Sequence, residues 1–518
     1  MAARGARPTQ PARGAWRVRR CLFLLALSSV AGFVGMIVNH PSELHMGHTP
    51  GYVGLHSIGR YHPVGEAGAP ARYEHGHAQF GPNKALEAEW EERRRAWIGR
   101  EDVDPDEIER LGRRYAAKGE GLFLVPWTAG VPTWPFQKVL DQWNWEAGII
   151  ALSAPMEAEM YQRAMQHGLY MALKRVGFIT LLVSSYQEFP GEVQNPHDSR
   201  FVLEDGAELT RTADAALHCF RAGSAEAAAM PEGVPRALIS ESDFVNFNRA
   251  DSEGMLIPAK ELSPEQAPHK EFDLIYYNGG TPWHDWIRNF TLAQPSLVRL
   301  ANELDWKILM VGCGLDDDYI DALEEGKKGN IKPTNEFSVW REWVEALDKA
   351  RFLFVPNVHD ASPRMLTEAL SLDVGLLINE HIIGGWKYIH ADTAETFSDV
   401  NDVVDAATRL EAKALRGELR PRGWLKENFG WHLAAGRLRA FLELSIGPRR
   451  LAEARKVAFK KGLRPAMRPH TAAHRKLLLA DDGAAGDDGM DPLREWLAGV
   501  GAGAPGEVRE WVRGLVGG

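Results

Sequence analysis

Two patterns alternate along residues 120–380: short unbroken apolar runs, and longer stretches with apolar residues every three or four positions. The runs at 122–126, 178–183, 272–277, 307–312, 352–356 and 376–378 predict strands buried on both faces, as in a parallel sheet. Shorter strands are expected from Ala216 and over 237–240. The helical period marks a long region ending near Arg175, then 288–304, about 337–348, and a helix that begins after Ser362. Alternation of this kind predicts an α/β fold in two units, 119–265 and 266–446, joined by the Pro- and charge-rich stretch 257–270.

The stretch from Phe352 to Tyr388 carries the most chemistry. Ser362 precedes Pro363, a hydroxyl in N-cap position before a residue whose fixed φ suits the first helical turn. The helix is expected to end near Asp373, because Gly375 and another apolar run follow. Met365, Leu366, Ala369, Leu370 and Leu372 share one arc of it; Glu368 lies at the edge of that arc, on the same side as Arg364. A strand, a polar loop and a helix start in this order present unpaired amides and a positive dipole end to an anion, most naturally a diphosphate, with Arg364 as an added donor. Asp360 stands in the loop and Glu368 about 7 Å down the helix, at roughly 1.5 Å per residue. Two carboxylates so placed suit sugar and ribose hydroxyls, since each accepts several charge-assisted hydrogen bonds. The competing reading has Asp360 capping a turn and Glu368 pairing with Arg364 on a solvated face, for under about 1 kcal/mol.

Asp360 to Glu368 is a D-x7-E spacing, and the segment resembles the retaining glycosyltransferases of the GT-B fold, in particular the family 4 group with its E-x7-E motif. The resemblance covers about Glu271 to Leu444. It implies two Rossmann-like domains facing across a cleft, with the acceptor on the first and a nucleotide-sugar donor on the second. It also implies that Asp360 contacts the donor sugar, Glu368 the ribose, and the Ser362 to Met365 backbone the diphosphate. Asp in place of the first Glu is one methylene shorter. The family's Gly-rich turn is matched by Gly279-Gly280 after the 272–277 run, with Arg288 and Lys307 as candidate phosphate cations. The implied reaction moves a sugar to a glycan, protein or lipid acceptor with no metal or other cofactor, and no catalytic base is identified. A GT-B shell that binds nucleotide or glycan without turnover is the alternative, and an epimerase of the same shell a third.

The first twenty residues hold six Arg and no acid, and Cys21 to Val38 is an uncharged apolar stretch of eighteen residues. A bilayer core needs about 20 residues, range roughly 17–25, so a short signal-anchor is expected with the basic end cytosolic. That orientation predicts a single-pass type II protein of the Golgi or ER with a lumenal catalytic body; a cleaved signal or a transit peptide are the competitors. Residues 39–118 read as a stem, with charged helices over 84–95 and 104–117, and its seven histidines between His40 and His77 lack zinc-site spacing.

A net charge of −10 with mixed signs argues against a nucleic-acid partner. Three cysteines give no disulfide framework. Gly312-Cys313-Gly314 fails as a dinucleotide fingerprint, because Asp317 holds the third glycine position. Asp316-Asp317-Asp318 contains a D-x-D, read as a solvated helix start rather than a metal site. Asn289-Phe290-Thr291 is a lone glycosylation sequon. Residues 447–518 read as a basic, then acidic and Gly-rich tail, partly disordered, with short amphipathic pieces near Trp496 and Trp511.

Overall fold

The computed structural model describes residues 102–125, 135–143, 146–154, 160–190, 210–245, 270–334, 340–460 and 491–499, and most of 501–513. The expected basic tail, the apolar stretch 21–38, most of the stem and all but the last residue of the linker 257–270 lie outside the described residues. Among those described, no helix is long and apolar enough to cross a membrane.

Among the described residues twelve strands form two sheets. The first takes β1 (Leu122–Val125), β2 (Phe136–Asp141), β3 (Glu146–Leu152), β4 (Ile179–Val183), β5 (Ala215–Leu217) and β6 (Arg236–Ala237) in chain order. The second takes β7 (Phe272–Tyr277), β8 (Ile308–Val311), β9 (Ile331–Thr334), β10 (Ala350–Val355), β11 (Gly375–Asn379) and β12 (Ala394–Phe397) in the order β12-β11-β10-β7-β8-β9. Helices of at least six residues are α1 (Pro105–Ala117), α2 (Met160–Arg175), α3 (Pro282–Ile287), α4 (Phe290–Leu304), α5 (Trp340–Asp348), α6 (Arg364–Ser371), α7 (Val403–Arg416), α8 (Pro421–Asn428), α9 (Trp431–Ser445), α10 (Pro448–Lys460) and α11 (Asp491–Ala498).

All pairings in the second sheet are parallel. Its central strands β8, β10 and β11 read as largely apolar runs because both faces are covered: Leu353 and Val355 of β10 enter one core, Phe352 and Phe354 the other. The strand order is that of the Rossmann fold, with the reversal between β7 and β10, where ligands bind at the strands' carboxyl ends.

The first sheet corrects the expectation of two Rossmann-like units. Its order shows no reversal, and β1, β2 and β3 pair antiparallel before the parallel part begins. Two of its strands, β2 and β3, fall in the stretch read as running into the long helical region that ends near Arg175; Lys138 and Asp141 break the apolar run of β2 alone.

The helix expected over 104–117 forms, but it is no part of a stem. Asp104 caps α1, and α1 packs along α9 at the crossing of Gly112 with Gly436, where a Cβ on either glycine would strike the other helix. Glu109 pairs with Arg437 at 2.6 Å across that contact. Part of the supposed tail is also structural. On β3, Gly148 has φ +73 and lies against the backbone of Ala454 in α10, leaving no room for a side chain. Trp496 of α11 sits over Gly168 of α2 and donates its Nε1 hydrogen to the Met165 carbonyl at 3.1 Å. The first lobe is therefore finished by helices that follow the second lobe in the chain.

Candidate functional site

The carboxyl ends of the two sheets face each other. Residues leaving β5 and β6 touch the loops leaving β10 and β11: Trp386 Nε1 donates to the Cys219 carbonyl at 2.8 Å, and Arg221 donates to the Glu380 carbonyl. A short 3-10 turn, Glu241–Asp243, follows β6 and pairs with Arg364 and Lys387 of the second lobe.

On the second lobe two loops flank the strand-order reversal. After β7, Asn278 Oδ1 accepts from the Gly280 amide at 3.0 Å while its Nδ2 donates to Asp285 at 2.7 Å. Gly280 has φ +68, and Gly279 lies against the His284 ring so closely that a Cβ would collide with it. Thr281 caps α3 and meets His284 Nδ1 at 2.7 Å. Burial, and then Arg288, push the His284 imidazole down to about 4, so it is neutral at pH 7. Arg288 ends α3.

After β10, the loop 357–363 is pinned by Gly384-Gly385. The Gly384 amide donates to the Asp360 carbonyl at 3.1 Å, and a Cβ there would overlap the Ala361 carbonyl. The chain then enters α6 one residue later than expected, with Pro363 at the N-cap. Ser362 does not cap; its hydroxyl lies 3.1 Å from that of Ser242 in the first lobe.

Of the predicted site residues, Gly279, Gly280, Arg288, Asp360, Ser362, Arg364, Met365 and Glu368 all belong to these two loops and the helix start. Arg288 and Asp360 form an ion pair, and Asn357 also donates to Asp360 Oδ2, at 3.0 Å. Arg288 Nε is buried with no hydrogen-bond partner among the described residues. Its guanidinium lies 5.7 Å from the centre of the Tyr277 ring. Burial raises the Tyr277 hydroxyl to about 12, so it stays protonated beside this cation. Met365 is buried in the second lobe's core and offers the site only its backbone.

Three expectations are corrected. Lys307 precedes β8, and its amide bonds Asp273 at the start of β7, so it stands at the opposite end of the sheet from the site. Arg364 does not pair with Glu368 on a solvated face; its Nη2 donates to Glu241 Oε2 of the first lobe at 2.8 Å, in a mostly buried contact. Glu368 is itself 7% exposed and accepts from Trp343 Nε1 at 2.8 Å. The acids eight apart thus both lie inside the protein.

Glu241 and Asp243 went unnoticed in the sequence. Glu241 also accepts from Gln137 of β2. Asp243 accepts from Lys387 at 2.7 Å, Tyr388 at 2.6 Å and the Ser240 amide at 2.9 Å. Their only sequence signal is the S-x-x-D box of Ser240 and Asp243 that frames the turn.

Burial raises the thiols of Cys219 and Cys313 each to about 12, which keeps both protonated at pH 7. Asp316 of the D-x-D bonds the Gln294 side chain at 2.8 Å at the start of a short helix. Among the described residues no group of three or more His, Cys, Asp or Glu is placed to hold a metal. Asn289 of the sequon donates its side-chain amide to the Pro356 carbonyl at 3.1 Å. What the arrangement can do is bind an anion at the reversal point and hydroxyl groups beside it.

No protein-family model and no curated protein sequence matches the chain. Solved structures similar to it include the sucrose-phosphate synthase of Thermosynechococcus elongatus, at 14% identity over 56% of this chain and 72% of the other, with a TM-score of 0.38. The lipopolysaccharide outer core galactosyltransferase WaaB is 14% identical over 54% of this chain and 72% of its own, with a TM-score of 0.36. HepE of Anabaena, in complex with UDP-glucose, is 10% identical over 54% of this chain and 77% of its own, with a TM-score of 0.38.

Proposed function

We propose that the chain is a glycosyltransferase that binds a nucleotide-sugar donor in its second lobe and moves the sugar to a glycan, protein or lipid acceptor entering from the first. The observation that carries this reading is Arg288: a cation at the reversal of a Rossmann-ordered sheet, between the Gly279-Gly280 turn and the start of α6, with a buried donor that has no acceptor among the described residues. Backbone amides at Arg364 and Met365 add a positive dipole end. A diphosphate meets all three, and the D-x7-E resemblance assigns Asp360 and Glu368 to the sugar and ribose hydroxyls.

In the proposed reaction the bond from the anomeric carbon to the donor phosphate breaks, and its electron pair leaves on the phosphate oxygen. Arg288 and the helix start stabilise that charge, the main catalytic lever available here. The acceptor oxygen bonds the anomeric carbon on the same face, with retention, and its proton passes to the departing phosphate, so neither a protein base nor a metal is required. Lumenal placement behind a short membrane anchor in the Golgi or ER belongs to the same proposal, on the strength of the six Arg and the apolar stretch 21–38.

Thermal shift of the full chain against UDP, GDP, ADP and their glucose or mannose conjugates tests the reading. One nucleotide series is expected to raise Tm by several degrees, with the shift lost in Arg288→Met. No shift with any of them overturns it. A binding shell without turnover is the second reading, favoured by the ion pair that already neutralises Asp360. Release of free sugar or glycosyl transfer from the bound donor decides against it.

A further inference from the structure

The ion pair between Arg288 and Asp360 sets up a competition inside the proposed donor site, and the inference rests on that reading. Asp360 is 6% exposed, and its two hydrogen bonds, from Arg288 and Asn357, both fall on Oδ2. No hydrogen bond reaches Oδ1 among the described residues. An ionised carboxylate only accepts. A diphosphate that engages the unpartnered Nε of Arg288 shares the guanidinium with Asp360 and brings negative charge beside a carboxylate in a poorly solvated place. Asp360 then shares its one cation, and Asn357 is its only undivided donor. That loss is made good only if the arriving molecule carries hydroxyl donors on the Asp360 side of its phosphates. A nucleoside diphosphate with a sugar attached has them, and the bare nucleoside diphosphate does not.

We propose that Asp360 penalises the bare nucleoside diphosphate relative to the sugar-loaded nucleotide, because both bring phosphate charge that competes with it for Arg288 and only the second returns hydrogen-bond donors. Asp360 is then a specificity-determining residue that favours donor over spent product. Glu368 has no such role: its carboxylate accepts from the Trp343 indole, a donor no phosphate competes for.

Calorimetric titration of the full chain tests this, with UDP against UDP-glucose, GDP against GDP-mannose and ADP against ADP-glucose. For the series that binds, Asp360→Asn is expected to tighten the bare diphosphate about tenfold and to weaken the sugar nucleotide about tenfold, a shift of roughly a hundredfold in their ratio. Asp360→Ser, which also removes the charge, moves the ratio the same way, while Asp360→Glu keeps the wild-type order. A ratio unchanged in Asp360→Asn and Asp360→Ser, with both ligands still bound, overturns the inference and leaves the donor site standing. Absence of binding by every nucleotide to the wild-type chain overturns both.

Discussion

Lys387 of the second lobe and Asp243 of the first meet at 2.7 Å, with side chains 3% and 2% exposed. Tyr388 and the Ser240 amide complete the shell of Asp243, so its charge is fully accounted for within the protein. Burial, together with the Asp243 carboxylate, holds the Tyr388 hydroxyl far above its ordinary range. The lobes are joined here by an interior contact, unlike the solvent-facing pairs on α4 and α7.

Removing the cation leaves a buried carboxylate with neutral donors alone. Lys387→Met is therefore expected to cost about 3–5 kcal/mol in urea unfolding. Pairing it with Asp243→Asn recovers a substantial part of that loss, because no uncompensated charge remains. Equal costs for the single and double variants would show that the charge pairing is immaterial.

Gly384 is constrained by the Asp360–Ser362 loop rather than by its own φ. Gly384→Ala forces the loop away from α6, at about 1–3 kcal/mol of stability. The thermal shift induced by nucleotide should disappear in the same variant, whereas Gly326→Ala, in open space on the surface, leaves it intact. A normal shift in Gly384→Ala would mean that the loop has no part in binding.

The His284 imidazole titrates near pH 4 in the folded chain and near 6.5 when unfolded. Between those values the unfolded state holds the extra proton, so stability falls as pH drops from 6.5 towards 4, by up to about 3 kcal/mol from this residue. His284→Gln is expected to flatten that part of the profile; urea midpoints for both proteins at half-unit steps supply the comparison.

Much of the second lobe was legible because its strands are buried on both faces, so β7, β10 and β11 appear as apolar runs with sharp ends. The two loops at the reversal followed from those ends. Lys307 misled because nearness to a strand in sequence does not say which end of the sheet it occupies. Ser362 was displaced by one residue, since Pro363 takes the cap and the serine hydroxyl turns to Ser242. Arg364 and Glu241 are 123 positions apart, and a pairing between lobes leaves no periodic trace in either segment. In α1, Gly112 and the charged residues around it look solvated in sequence, yet they meet Gly436 and Arg437 of a helix more than three hundred residues away.

The seating of Ala454 on Gly148 has a consequence for synthesis. About 300 residues separate the two, and at roughly 5–20 residues per second a ribosome takes some 15–60 s to deliver the second after the first. For that interval the part of β3 around Gly148 lacks the cover that α10 gives it, although the strands around it have already emerged. The first sheet is therefore completed only after the second lobe has been made.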